Sequence, residues 1–445
     1  MTQPLSLGQL SVWHDIRELP PARRHEPNNV ALWALSPDTH PDATRRAVAA
    51  LAARHPSLRT RYDLDNPDAP RQLTPDADFL DELPTIETAN TADPHAPLTG
   101  PAEPSEPTGL PGPAESPESI ARDLAAEPFD LGRQHGWRAR LLTRAGVPSH
   151  LLFVKHHIAA DAWAQETLHR EFRQELLAPG RLGPPAAGPA ELAAAQYTPA
   201  GLRRQRAALA HWARTLERAP AAALPRPAEA SGTVVQATLH SVAARAAARA
   251  LAERAQVSVA GVVLAAYVRA VARRVETGSL LVQLMSANRF VGRWKDVVTS
   301  MNQWVPALVD RADGEFPTLA KSAHWSSLAA VRHGMHDVTE VAALKAGAPD
   351  APEPACAFNY VAVPDQPPAA APAVAPNAEH ADERGGFTVT WEEPFTTIGP
   401  RCYARVLETG HELSVRLTAK DVGRDQCAAL LGDLHDGLLN AARRL

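Results

Sequence analysis

Cysteine is scarce: Cys356, Cys402 and Cys427 are the only three in 445 residues. Their number and spacing fit neither a disulfide framework nor a zinc site, which points to a reducing compartment. Aromatic residues make up only 5% of the chain, although 45% is apolar. Aliphatic side chains, alanine prominent among them, must therefore fill helix-rich cores. Long hydrophobic runs are missing too. The longest, Val257 to Val268, stops at Arg269. It is too short to span a bilayer and reads as a buried helix. The first ten residues lack a basic segment followed by an apolar run, so no signal peptide is expected. Together these absences predict a cytoplasmic protein. Neither charge sign dominates: 45 Lys and Arg stand against 50 Asp and Glu, a formal charge of -5. No basic stripe suggests nucleic acid and no Lys/Arg cluster suggests a membrane surface. A local basic patch for an acidic partner remains compatible with that balance.

The length suits two cores of roughly 200 residues each. Asn28–Leu35 reads as a strand and Pro41–Arg54 as a helix, from apolar residues at 3.6-type spacing. Residues 84–117 hold nine prolines among Ala, Glu, Ser, Thr and Gly, the composition of a solvated insert rather than a core element. A helix over Pro117–Ala126 and strands over Trp137–Leu142 and Leu151–Lys155 follow. A helix over Asp161–Leu177 is expected to turn Trp163, Leu168, Phe172 and Leu176 to its apolar side. The Pro/Gly-rich break at Pro179–Pro189 sets the boundary between domains over 1–180 and 190–445. Beyond it, helices are expected at Glu191–Leu216, Val242–Ala255 and Val259–Arg274, with strands at Val234–His240 and Leu280–Met285. A Pro/Ala-rich insert spans Val363–Asn377. Strands at Phe387–Trp391, Tyr403–Leu407 and Glu412–Leu417 and a helix over Asp425–Arg443 complete the reading. The fold class is α/β, two layered sandwiches side by side.

The segment Leu151–Trp163 concentrates the chemistry. An apolar strand feeds a turn with two adjacent histidines, His156 and His157, and Asp161 opens a helix. Unpaired amides at a helix start favour negative charge, and an imidazole beside them can accept a proton while they hold an oxyanion. Blander accounts stay open: Asp161 as a helix cap, one histidine in the core and one at the surface. A His/Asp metal site is a third account, but no further ligand lies at useful spacing.

His156-His157-Ile158-Ala159-Ala160-Asp161 resembles the HHxxxDG motif of the condensation-domain superfamily, which includes chloramphenicol acetyltransferase-like enzymes. Five other segments resemble family motifs in the same order. Ser6, Gln9 and Trp13 resemble SxAQxRLW. Arg54 to Thr60 resembles RHxxLRT. Pro128 to Leu131 followed by Arg138 resembles PFDL…R. Ser286–Arg289 and Met301–Trp304 lie where the family has its GR and FVNT elements. The family glycine is Ala162 here: harmless where the backbone is helical, a narrowing where an acyl group passes over it.

The resemblance implies two chloramphenicol acetyltransferase-like halves in a V-shaped pseudo-dimer with a tunnel between them. It implies a free-standing condensation enzyme of nonribosomal peptide biosynthesis, one that moves an acyl or aminoacyl group from a phosphopantetheine thioester on a carrier protein to an amine or alcohol. His157 would be catalytic, with His156, Asp161, Ala162, Trp163, Arg289 and Asn302 supporting it. Asp161 would pair with an arginine of the other half, Arg289 being the candidate. No permanently bound cofactor or metal is expected, the carrier would be met in trans, and a monomer is expected. A coenzyme A-dependent acyltransferase of the same superfamily is the alternative, and a disabled carrier-binding scaffold is a third reading. An aspartate in place of His156 marks the heterocyclising relatives, so cyclisation is not expected.

Overall fold

The computed structural model describes residues 2–73, 83–91, 116–363, 379–384 and 386–444. They group into two compact units, one of residues 1–196 with 289–301, the other of residues 197–288 with 302–445.

The first unit contains β1 (Thr2–Pro4), α1 (Leu7–Ile16), β2 (Asn28–Ala34), α2 (Pro41–Arg54), β3 (Arg61–Asp63), β4 (Arg71–Leu73) and β5 (Glu87–Thr91). It continues with α3 (Pro117–Ala126), β6 (Trp137–Arg144), β7 (Val147–His156), α4 (Ala162–Leu177) and α5 (Pro189–Gln196). Its main sheet runs β2-β7-β6-β5, and a small sheet runs β1-β4-β3. Helix starts follow local chemistry. Pro41 and Pro117 occupy first-turn positions, and the Ser116 hydroxyl accepts the Ser119 N–H at 3.1 Å, since a proline there loses no hydrogen bond. The core is aromatic where it supports β7: Phe153 stacks between Trp33 at 5.0 Å and Trp137 at 5.5 Å.

Three expectations change in this unit. The proline-rich stretch begins with a strand, because Glu87–Thr91 pairs in parallel with β6; residues 92–115 lie outside the described residues. Trp163 is 43% exposed while Leu168 and Phe172 are buried. One residue is about 100° of helix rotation, and the buried stripe runs through Ala164, not Trp163. The break between units falls after Gln196 rather than at Pro179–Pro189. Helix α5 stays with the first unit, where the Leu7 N–H donates to the Gln196 side chain at 2.9 Å. The helix expected over Glu191–Leu216 is accordingly two helices. Thr198 caps the second, and Pro199 opens it.

The second unit contains α6 (Pro199–Arg218), β8 (Val234–Ser241), α7 (Val242–Ala255), α8 (Val259–Arg274), β9 (Ser279–Ser286), β10 (Gln303–Asp310), α9 (Phe316–Val331) and α10 (Val338–Ala346). It ends with β11 (Cys356–Ala362), β12 (Glu379–Arg384), β13 (Phe387–Glu392), β14 (Cys402–Glu408), β15 (Leu413–Lys420) and α11 (Arg424–Ala442). Among the described residues its eight strands form one sheet, β10-β9-β11-β14-β15-β8-β13-β12. Helix α8 is buried along most of its length against that sheet and α11. Among the described residues no single helix is long and apolar enough to cross a membrane. Of the insert expected at Val363–Asn377, residues 364–377 lie outside the described residues.

Candidate active site

Strand β7 delivers the two histidines. The His156 N–H donates to the Gly136 carbonyl at 2.9 Å and the His157 N–H to that of Pro27 at 3.0 Å. The chain then leaves the sheet in a four-residue turn, and every carbonyl from Ile158 to Ala160 has a side-chain donor. The Tyr62 hydroxyl reaches Ile158 at 3.5 Å, Ser57 reaches Ala159 at 2.6 Å, and the Lys155 ammonium reaches Ala160 at 2.9 Å. Gln9 donates to the Tyr62 hydroxyl at 3.3 Å, while Gln9 and Ser6 form a reciprocal cap at the start of α1. The Ser6/Gln9 and Arg54–Thr60 segments thus hold the histidine turn from beneath. Burial keeps the Tyr62 phenol protonated far beyond its usual range.

Asp161 closes the turn. One carboxylate oxygen accepts the Ala164 N–H at 2.8 Å and the Arg289 Nη2 at 2.8 Å; the other accepts the Met301 N–H at 3.0 Å. Arg289 also donates to the carbonyls of Val297 at 2.7 Å and Thr299 at 3.1 Å. Both side chains are almost fully buried. Arg289 therefore clamps the segment 289–301 onto the turn, and it lies in the same unit as Asp161, not in the other half. Gly8 tightens the clamp. A Cβ there would overlap the Ser300 carbonyl and the Met301 Cα, so only glycine lets α1 approach this backbone.

The two histidines differ. His156 is buried, edge-on to Phe129 at 6.2 Å, and its Nδ1 accepts the Ile158 N–H at 3.1 Å. Burial, then His157 and Lys155, push its pKa down to about 3. His157 is partly exposed. Its Nδ1 lies 3.3 Å from the Ser300 hydroxyl. Burial and the Lys155 charge lower its pKa, against the opposing pull of Asp161 and its own backbone carbonyl. An imidazole that is neutral at pH 7 and reachable from solvent is able to accept a proton.

A family model for the condensation domain matches residues 23–342. The chain belongs to the condensation-domain family. The curated relatives are long synthetases. This condensation domain is 30% identical over 156 residues to cyclosporin synthetase simA of Tolypocladium inflatum, which covers 33% of this chain and 1% of that protein. It is 35% identical over 180 residues to AMB antimetabolite synthetase AmbB of Pseudomonas aeruginosa, covering 39% of this chain and 14% of the relative. The chain thus spans a small part of the length of these relatives. Among solved structures, the enacyloxin polyketide synthase condensation domain of chain release aligns over 99% of this chain and 82% of its own, with a TM-score of 0.73 and 22% identity. SgcC5 protein from Streptomyces globisporus aligns over 99% of both chains, with a TM-score of 0.69 and 19% identity. The fold is that of condensation domains.

Of the residues singled out in the sequence, His156, His157, Asp161, Ala162 and Arg289 gather at this turn. Ala162 is the first residue of α4 and is exposed, the helical case in which its methyl group is harmless. Trp163 faces solvent. Asn302 belongs to the second unit, just before β10. The sequence reading passed over Lys155, Ser57, Tyr62, Gly8 and Ser300. Ser57, Gly8 and Ser300 lie inside or beside motif segments, but only the closed turn reveals their partners. Among the described residues, no group of three His, Cys, Asp or Glu is placed to hold a metal ion.

Proposed function

We propose that the domain transfers an acyl group from a carrier-protein thioester to an amine or alcohol, with His157 as the base. The observation that carries the reading is the partly exposed His157 ring beside Ser300, above a turn whose carbonyls all have donors. Its own carbonyl and the Ser300 hydroxyl both suit a proton on Nδ1, which leaves the Nε2 lone pair free. The acceptor nitrogen or oxygen attacks the thioester carbon and its proton passes to Nε2. The C–S bond then breaks, and the sulfur leaves as thiolate to recover that proton. Alignment of two reactants supplies much of the acceleration. Asp161 and Arg289 position the turn and take no part in proton transfer. The phosphopantetheine arm enters with the donor rather than residing in the protein. SgcC5 was crystallised with (R)-(-)-1-(2-naphthyl)-1,2-ethanediol, which supports including alcohols among the acceptors.

The test is acyl transfer read by mass spectrometry, with acyl groups loaded on carrier protein and on coenzyme A and with matched amines and alcohols offered. His157→Ala is expected to lower turnover by about 10²–10⁴-fold, the range of general base catalysis, and to impair ester formation more than amide formation. An amine near its pKa of about 8 is already partly unprotonated, an alcohol is not. Transfer from coenzyme A alone, or turnover that survives in His157→Ala, would overturn the reading.

A further inference from the structure

The second unit packs its helices on one face of its sheet. Cys402, Ala404 and Val406 of β14 and Val415 and Leu417 of β15 are buried in the core that α7, α8 and α11 complete. Side chains alternate along a strand. Tyr403 and Arg405 on β14 and Arg416 and Thr418 on β15 therefore lie on the opposite face, and all four are partly buried. Arg405 and Arg416 are register partners on these antiparallel strands. Like charges directly opposite each other destabilise a sheet. Among the described residues neither guanidinium has an ion-pair or hydrogen-bond partner. The Arg416 pKa is lowered first by burial and then by Arg405, against Tyr403 and Glu392. Glu392 is nevertheless engaged elsewhere, since its two oxygens accept from Gln236 at 2.8 Å and Thr238 at 3.0 Å. Other arginines of the unit are paired: Arg249 meets Glu408 at 2.7 Å and Arg274 meets Asp433 at 2.7 Å. The Arg405–Arg416 juxtaposition gives the fold nothing.

A bound anion resolves the repulsion, and the local charge selects which anion. Two guanidiniums beside one carboxylate leave a single net positive charge. A monoanion matches it, and a phosphate dianion exceeds it. The arginine fork also fits the two oxygens of a carboxylate. Next to the pair on the same face, the Tyr403 ring meets Trp304 edge-on at 5.2 Å. Asn359 donates to the Tyr403 hydroxyl at 3.1 Å and fixes that ring. Aromatic walls with a few placed polar groups have the make-up of a small-molecule site.

We propose that Arg405 and Arg416 hold the carboxylate of a small aromatic acid against Tyr403 and Trp304, a ligand site on the sheet of the second unit. The two guanidiniums share the carboxylate oxygens, and the ring of the acid packs on the aromatic pair. The site does not depend on the reading of His157, and its test needs no turnover.

The test is fluorine NMR of 4-fluorobenzoate titrated with the full chain at low salt. Saturable broadening of the fluorine signal is expected, reversed by unlabelled benzoate. Arg405→Gln and Arg416→Gln are each expected to weaken binding at least about tenfold, as loss of a hydrogen bond to a charged group does. Both are also expected to raise the melting temperature of the ligand-free protein, because a repulsion has gone; a purely structural arginine would lower it. Neutral 4-fluorobenzamide, of the same shape, is expected not to bind, and inorganic phosphate to displace the probe at least about tenfold less well than benzoate. A wild type without saturable binding would overturn the site. So would binding within twofold of wild type in both variants, or 4-fluorobenzamide bound as tightly as the acid. Phosphate that displaces the probe as well as benzoate does would overturn the ligand class. Should a variant not fold, the benzamide and phosphate arms on the wild type still decide the question.

Discussion

Two strand-to-helix junctions can be set side by side, one in each unit. In the first, β7 and α4 are separated by the turn His157–Ala160, and Asp161 caps the helix. In the second, β8 runs straight into α7, and Ser241 is both the last strand residue and the cap, accepting the Ala244 N–H at 3.0 Å. Each has a histidine beside the cap. At the second, His435 Nε2 lies 3.2 Å from the Ser241 hydroxyl and its Nδ1 lies 3.2 Å from Asp436. That is the connectivity of a hydrolytic triad, yet Ser241 and His435 are 3% and 0% exposed. No acyl group can reach them, and the pair is structural. The four extra residues at the first junction are what lift an imidazole out of the core. Three of their carbonyls, buried and outside the sheet, then need the donors that Tyr62, Ser57 and Lys155 provide.

The comparison breaks most visibly at the caps. Asp161→Ala leaves the Arg289 guanidinium buried without its counter-charge and is expected to destabilise the first unit by about 3–5 kcal/mol. Ser241→Ala removes one neutral cap and is expected to lose only about 1–2 kcal/mol. Denaturant midpoints of the two variants would measure the difference. If Asp161→Ala lost no more than Ser241→Ala, the clamp would be an ordinary cap and the separate status of the first junction would fall. Transfer is expected to be lost in Asp161→Ala through collapse of the turn, so Asp161→Asn should retain more stability than the alanine variant.

These junctions were unequally legible. Helices α2, α3, α7 and α8 show their bounds in the sequence because proline, serine or strand-end residues punctuate them and apolar residues repeat at helical spacing. The motif segments pointed to His157, Asp161 and Arg289. Beyond that the signals weaken. The elements β10, α9, α10 and β11 went unassigned between the last motif and the third insert, where alanine and serine blur both periods. Strand β5 hides in proline-rich sequence because it is an edge strand of only five residues. Lys155 reads as an ordinary strand residue. Its burial follows from the turn folding back over β7, a tertiary event that no local pattern encodes. Trp163 misled for the opposite reason: a large apolar side chain outweighed a one-residue offset in helical phase.

A second way to sharpen the comparison is acid. His156 at the first junction has its folded-state pKa lowered to about 3, below the unfolded value of about 6.5. The unfolded chain therefore takes up a proton that the folded chain refuses. Stability is fully present above about pH 6.5 and falls with pH toward about 3, by about 1.4 kcal/mol per pH unit for this one group. His336 in the second unit, lowered to about 4 chiefly by its burial, acts in the same direction. Denaturant midpoints between pH 7 and 4.5 should fall for the wild type, and His156→Asn should flatten the dependence by the share of one proton. An unchanged slope in that variant would mean that His156 is charged in the folded protein.

The smallest expected effect concerns the single departure from the family motif. Ala162 stands where the HHxxxDG motif has its glycine, at the first position of α4, and is exposed. Glycine in a helix is less favourable than alanine by up to about 1 kcal/mol, through backbone entropy. Ala162→Gly is therefore expected to lower stability by no more than that and to change the transfer rate less than twofold. The reason is geometric: the backbone there is already helical, and the capping and clamping bonds run through Asp161 and Met301 rather than through the Ala162 side chain. A panel of acyl donors of increasing size makes the test discriminating. A rate gain that grows with acyl size in Ala162→Gly would show that the methyl group obstructs the donor's path. The first junction would then be tuned for small acyl groups by one carbon atom, a constraint with no counterpart at Ser241.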